Sequence, residues 1–181
     1  LEIGCKMAPF AGWEMPIQFS GLLNEHYSVR KKGGLFDISH MGVFLIEGKN
    51  AKVFLQNLVP TDIYRIGPGE ACYTLLLNND GGIIDDLIIY DLGNKNNNDS
   101  LLIVINAGCT EKDIAWLKEH LEPKKISIND FKKDGVLIAL QGPNSKEILE
   151  QIFEESISSI PRFGHKTINS KNPRLNSIFI A

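Results

Sequence analysis

Cysteine is scarce in this chain: Cys5, Cys72 and Cys109 are the whole complement. They are far apart and odd in number, so neither a disulfide framework nor a CxxC metal site is suggested, and a reducing compartment is the natural setting. Long hydrophobic runs are lacking too, since none approaches the roughly 20 residues needed to span a bilayer. Between Leu1 and Trp13 there is no basic start followed by an apolar core, hence no visible signal peptide. Neither a Gly-x-Gly-x-x-Gly motif nor a Walker loop occurs, and Gly67-Pro68-Gly69 reads as a turn. Charge of one sign is not in excess: 19 basic against 22 acidic residues leave a net −3. That balance offers no general attraction to nucleic acid or to an anionic membrane. His26, His120 and His165 have no partner at ligand spacing, so no metal is expected. The cytoplasm is the expected location, or the mitochondrial matrix if the source is eukaryotic.

What is present is ordinary for a globular protein: 43% hydrophobic and 23% charged residues in 181. That length suits one domain or two small interleaved ones. Met7 to Phe19 is punctuated by Pro and Gly and reads as an irregular loop. Ser20 caps an expected helix from Gly21 to Lys32, stopped by Gly33-Gly34. Met41 to Glu47 is a strand. Asn50 opens a helix with Ala51, Phe54, Leu55 and Leu58 on one face, ended by Pro60. Cys72 to Leu77 and Ile83 to Tyr90 form a hairpin around an Asn/Asp/Gly turn. Gly93 to Ser100 is a polar loop, and Leu101 to Ile105 is a strand buried on both faces. Thr110-x-x-Asp113 resembles a capping box that opens a helix to about His120, with Ile114, Leu117 and Leu121 as its stripe. Val136 to Leu140 reads as another buried strand. A helix from about Ser145 turns Ile148, Leu149 and Ile152 inward. The hairpin makes part of the sheet antiparallel, so the class is α+β with mixed, largely antiparallel sheets and packed helices. The chain starts without methionine and stops on an apolar run, Ser177 to Ala181, which would leave an exposed edge. A piece of a longer protein is therefore expected.

The acids of Asp80-Gly81-Gly82-Ile83-Ile84-Asp85-Asp86 stand at the start of an apolar strand. Side chains alternate faces. Asp86 thus shares a face with Ile84, Ile88 and Tyr90, and Asp85 with Ile83, Leu87 and Ile89. A carboxylate bordering an apolar pocket suits acid/base work, beside the plain reading of a solvated acid near a turn. Asn106 ends a buried strand, where an amide can read the edge of a heterocycle or simply cap a turn. Tyr73 and Tyr90, on opposite arms of the hairpin, could flank a planar ligand or merely pack. Asp37, Ser39, His40 and Met41 do not make a triad, because near neighbours on one extended segment splay apart. A local hydrogen-bond cluster is expected there.

Five segments stand in an order that carries a likeness. They are Phe10-Ala11-Gly12-Trp13-Glu14-Met15-Pro16; Gly34-Leu35-Phe36-Asp37-Ile38-Ser39-His40-Met41-Gly42; Gly81-Gly82-Ile83-Ile84-Asp85-Asp86-Leu87; Asn106-Ala107 with Glu111-Lys112-Asp113; and Ala139-Leu140-Gln141-Gly142-Pro143. The chain resembles the amino-terminal half of aminomethyltransferases, the T-proteins of the glycine cleavage system. The resemblance implies a folate-binding aminomethyltransferase-like fold, here truncated. It implies an incomplete first domain over 1–48 and 143–181 and a second α+β subdomain over 49–142 that carries the acids. The carboxy-terminal half, with its β-barrel domain, would be absent and the piece alone inactive. It also implies transfer of a one-carbon unit from the aminomethyl-dihydrolipoyl arm of a carrier, H-protein, to tetrahydrofolate, with release of ammonia. Asp86 matches the family's essential acid, Asp85 a structural one. Met41, Tyr73, Ile88, Tyr90 and Asn106 match or neighbour positions lining the pterin pocket. Two other readings share the fold: the folate-binding half of a dimethylglycine or sarcosine dehydrogenase or a folate-dependent demethylase, and a non-enzymatic folate-binding helper of iron–sulfur assembly.

Overall fold

Leu101, Ile103 and Ile105 have no exposed surface, and Leu102 between them is buried as well. A strand buried on both faces needs a central place in its sheet, and this one has it. The computed structural model describes residues 4–121, 125–133, 135–153, 156–169 and 177–181. Five strands make the main sheet: β4 (Gly42–Gly48), β5 (Ala71–Leu77), β6 (Ile83–Lys95), β7 (Asn98–Ile105) and β8 (Ile126–Asp130). Their order is β5-β6-β7-β4-β8, with every neighbouring pair antiparallel. Helices α2 (Ala51–Gln56) and α3 (Thr110–His120) cover one face. Ala51, Leu55 and Leu117 from the helices pack there with Ile46, Leu76, Leu87, Ile89, Leu101, Ile103 and Ile105. The class is α+β, as expected.

The remaining elements are the hairpin β1 (Lys6–Phe10) and β2 (Trp13–Gln18), helix α1 (Leu22–Lys31), strand β3 (Gly34–Asp37), strand β9 (Ile138–Gln141), helix α4 (Ser145–Phe153), and the pair β10 (Lys166–Asn169) and β11 (Ser177–Ile180). Strands β3 and β9 pair antiparallel.

The chain divides into two compact units: residues 1–40 with 136–159, and residues 41–135 with 160–181. These bounds differ from the expected 1–48 with 143–181 and 49–142, and strand pairing gives the reason. Strand β4 joins the second unit because it lies between β7 and β8. Segment 160–181 follows it, since Ala71 donates its N–H to the Phe163 carbonyl and Glu70 bridges Gly164. Strand β9 belongs to the first unit through β3.

Several local expectations are also corrected. Met7 to Phe19 is a hairpin, because Ala11 and Gly12 both take positive φ, the geometry of a tight two-residue turn. Asn96 and Asn97 do the same, so the polar stretch from Gly93 is the tip of β6 and β7. Ser20 does not cap α1; the Glu25 carboxylate accepts the N–H groups of Phe19, Ser20 and Gly21 at 2.8, 2.6 and 3.0 Å. Neither β9 nor α4 is buried: Val136 and Ile138 are exposed, α4 has no buried residue, and Ile152 is exposed.

Candidate functional site

The register of the main sheet sets the expected site residues in rows on the face opposite α2 and α3. Leu75 pairs with Asp86, while Leu87 and Gly42 both pair with Ile105. Asp86, Asn106 and Met41 each flank that last row by one residue, so they stand side by side. The next row on this face is Tyr73, Ile88, Val104 and Val43. After it comes Ala71, Tyr90, Leu102 and Leu45. Asp86, Ile88, Tyr90 and Tyr73 thus share one sheet face, and Met41 and Asn106 stand at the strand ends beside Asp86, all within one unit. Val43, Leu102 and Ala71 are buried, Ile88 and Asp86 are half-buried, and Tyr73 is exposed.

The strand alternation holds for Asp86, Ile88 and Tyr90 but not for Ile84. A register shift between Leu76 and Leu77 makes Ile84 an extra residue opposite β5, and such a bulge turns a side chain to the other face. Ile84 consequently packs with the core beneath the helices.

Asn106 ties the acids together. Its side-chain nitrogen donates to Asp85 Oδ1 at 3.0 Å, to Asp86 Oδ1 at 3.1 Å and to the Asp86 carbonyl at 3.2 Å. Carboxylates only accept, which fixes the amide orientation. Its main-chain N–H reaches Asp85 Oδ2 at 3.4 Å, and its carbonyl accepts from Thr110 Oγ1 at 3.1 Å. Thr110 is thus the first residue of α3, bonded back to Asn106; Cys109 is the cap and makes no side-chain cap bond. The expected capping box is not formed, because Asp113 turns inward and is buried.

Electrostatics follow from these contacts. Burial works to raise the Asp85 pKa, but the neighbouring Asp113 carboxyl, the Asn106 amide and backbone N–H groups favour its charged form, outweigh burial, and the net displacement is downward. Burial, then the hydrogen bond and charge of Asp85, push Asp113 up to about 7. The nearby Asp86 carboxylate holds the Tyr73 phenol above its usual value. Burial does the same for Tyr90, whose ring meets those of His165 at 5.6 Å and Phe179 at 5.4 Å. Among the described residues, no group of three His, Cys, Asp or Glu side chains could hold a metal ion. Near Met41, Ser39 N–H donates to Asp37 Oδ1 at 2.9 Å, a local cluster of the expected kind.

Comparison with known proteins identifies the lineage: residues 1–174 match the GCVT N-terminal domain. The chain belongs to that family. It is 61% identical over 186 residues to an aminomethyltransferase of Prochlorococcus marinus, a match covering 100% of this chain and 50% of the relative. It is 55% identical over 179 residues to an aminomethyltransferase of a Synechococcus species, covering 98% of this chain and 49% of the relative. The crystal structure of glycine cleavage system aminomethyltransferase T from Bartonella henselae superposes with a TM-score of 0.82 at 31% identity, over 98% of this chain and 49% of that chain. The chain spans about half the length of the curated relatives it matches.

In this GCVT N-terminal domain, Thr110, Lys112 and Asp113 contact the acid cluster, although sequence reasoning left Thr110 and Asp113 only as a helix start and the segment 111–113 only as part of the family likeness. One signal was available for Asp113. It lies four residues before Leu117 and eight before Leu121, on the apolar stripe of α3.

Proposed function

We propose that this chain carries the acid and the pterin-facing surface of a tetrahydrofolate-dependent aminomethyltransferase of glycine cleavage, a cytoplasmic enzyme in bacteria. In that reaction a one-carbon unit passes from the aminomethyl-dihydrolipoyl arm of H-protein to tetrahydrofolate, and ammonia leaves. The observation that carries the reading is the row of Met41, Asn106 and Asp86 beside the half-buried Ile88 and Tyr90 on one sheet face. Relatives named aminomethyltransferase at 55–61% identity support it over the demethylase and folate-helper readings.

The residues present fit a reduced pterin. Ile88 and Tyr90 offer apolar and aromatic surface for a planar ring. Asp86, half-buried beside them, offers a carboxylate to ring N–H donors. Tetrahydrofolate itself supplies the nitrogens that take up the carbon. Asp86 would orient that partner, stabilise positive charge developing near it, and hold the proton released from nitrogen. Asn106 keeps Asp86 in place through its 3.1 Å bond. Tyr73 stands on β5 near the same carboxylate, which raises its phenol pKa. Asp85, held from two sides, has a structural role.

The test supplies the full-length gene product with aminomethyl-loaded H-protein, or with dimethylglycine, each with and without tetrahydrofolate. Folate-dependent ammonia and 5,10-methylenetetrahydrofolate from H-protein alone are expected. Turnover of dimethylglycine, with none from H-protein, would overturn the reading.

A further inference from the structure

Behind the Asp86–Asn106 pair lies a carboxyl that the sheet face does not present. Asp113 projects from α3, its exposure is 0%, and neither of its oxygens has a hydrogen-bond donor among the described residues. A buried, unpaired carboxylate is costly enough that such groups take up a proton instead. Among the described residues Asp85 is the side chain that acts on it most strongly, and two carboxyl groups can bond each other only when one is protonated. The charged or titratable groups that act on Asp113 are Asp85 from β6, Lys112 from its own helix and the Cys109 thiol from the preceding turn. Lys112 Nζ is engaged by the Ile84 carbonyl at 2.7 Å. The Cys109 thiol is itself pushed up by burial and by the two acids. Among the described residues Lys112 is the cation that favours an ionised Asp113, and burial and Asp85 outweigh it.

We propose that Asp113 carries a proton which it donates to Asp85, and that this shared proton makes Asp113 a positioning residue for the Asn106 amide. Asn106 has two amide hydrogens and three acceptors within 3.2 Å. While Asp113 donates, Asp85 stays ionised and accepts from Asn106, whose second hydrogen serves Asp86. Release of the proton sets two like charges against each other out of water. Asp85 must then shift or share its charge differently, and the hold on Asn106 changes with it. Burial and Asp85 bring the Asp113 pKa to about 7, so the change falls near neutral pH. The proton assignment is independent of the reaction proposed above; only its catalytic consequence rests on that reading.

The test is NMR on the chain between pH 5 and 9, following Asp side-chain carboxyl carbons and the Asn106 side-chain amide, for wild type and Asp113→Asn. Asparagine keeps an N–H donor but cannot ionise. The expected result is an Asp113 midpoint near 7, treated as a property of the pair, with the Asn106 signals moving at the same midpoint. In Asp113→Asn those signals should stay flat at their low-pH positions. An Asp113 that titrates in the ordinary carboxylate range, near 4, overturns the proposal. So do Asn106 signals that ignore both pH and the substitution.

Discussion

Two aspartates share one asparagine, a third lies buried behind them, and burial separates their behaviour. Asp86 is half-buried, Asp85 is held down by its bonds, and Asp113 is held up at about 7. The signs differ for stability. The lowered pKa of Asp85 contributes stability above its unfolded value, and acid removes it. Asp113 works the other way. Between 3.8 and about 7 the folded state keeps a proton that the unfolded chain has released. Stability therefore falls as pH rises through that window, by about 1.4 kcal/mol per unit at most. Asp113→Asn removes this slope. Urea unfolding at pH 5, 6 and 7 should show the wild type losing about 1 kcal/mol per unit relative to the variant. A difference constant across that range would contradict the assignment. At this scale the sequence showed Asp86, Tyr90 and their shared face, because strand alternation is a strict rule. It hid Ile84, since a one-residue bulge leaves no mark in composition. It also hid Asp113, whose position after Thr110 mimics a capping box.

Elements were legible where burial is periodic along one face or unbroken on both. The strand Leu101 to Ile105, the helix after Asn50 and the stripe Ile114, Leu117 and Leu121 were readable because each faces one core. Turns with positive φ outside glycine, at Ala11, Asn96 and Asn97, were not readable as hairpins. Nor does an apolar run reveal whether its pair is covered, and β9 is exposed for that reason. Leu117 holds α3 on the sheet with no exposed surface. Leu117→Ala should cost about 2–5 kcal/mol in unfolding free energy, and the loss should loosen Asp113 four residues away. Gly48, at φ +151, brings β4 against β8 so closely that a Cβ would sit 2.0 Å from the Lys125 carbonyl oxygen. Gly48→Ala should displace β8 and destabilise by about 1–3 kcal/mol. Loss of amide exchange protection at Ile128, with β6 protection kept, would report it. Unchanged protection in β8 would contradict the contact.

Across the whole molecule the core is uneven. The fully buried large side chains lie in the five-stranded unit, whereas neither α1 nor α4 buries a residue. Phe10, Trp13, Leu22, Leu23, Leu35 and Val136, all in the first unit, are exposed. Apolar surface of this extent marks contact sites or association, and few buried contacts mean low local stability. Native-state exchange should open α1 and α4 well before β6 and β7, and sedimentation should show self-association that rises with concentration. A monomeric chain with uniform protection would contradict this picture.

The face bearing Asp86 is the centre of the functional reading. Asp86→Asn keeps size and burial but removes the carboxylate, so the fold should persist. General acid/base or charge-stabilising work of this kind is worth about 10²-fold or more. The most direct measurement is folate-dependent ammonia release from aminomethyl-loaded H-protein, comparing wild-type and Asp86→Asn full-length protein of equal thermal stability. A fall of about 10²-fold or more is the expected result. A variant that releases ammonia at a near wild-type rate would contradict the assignment of Asp86.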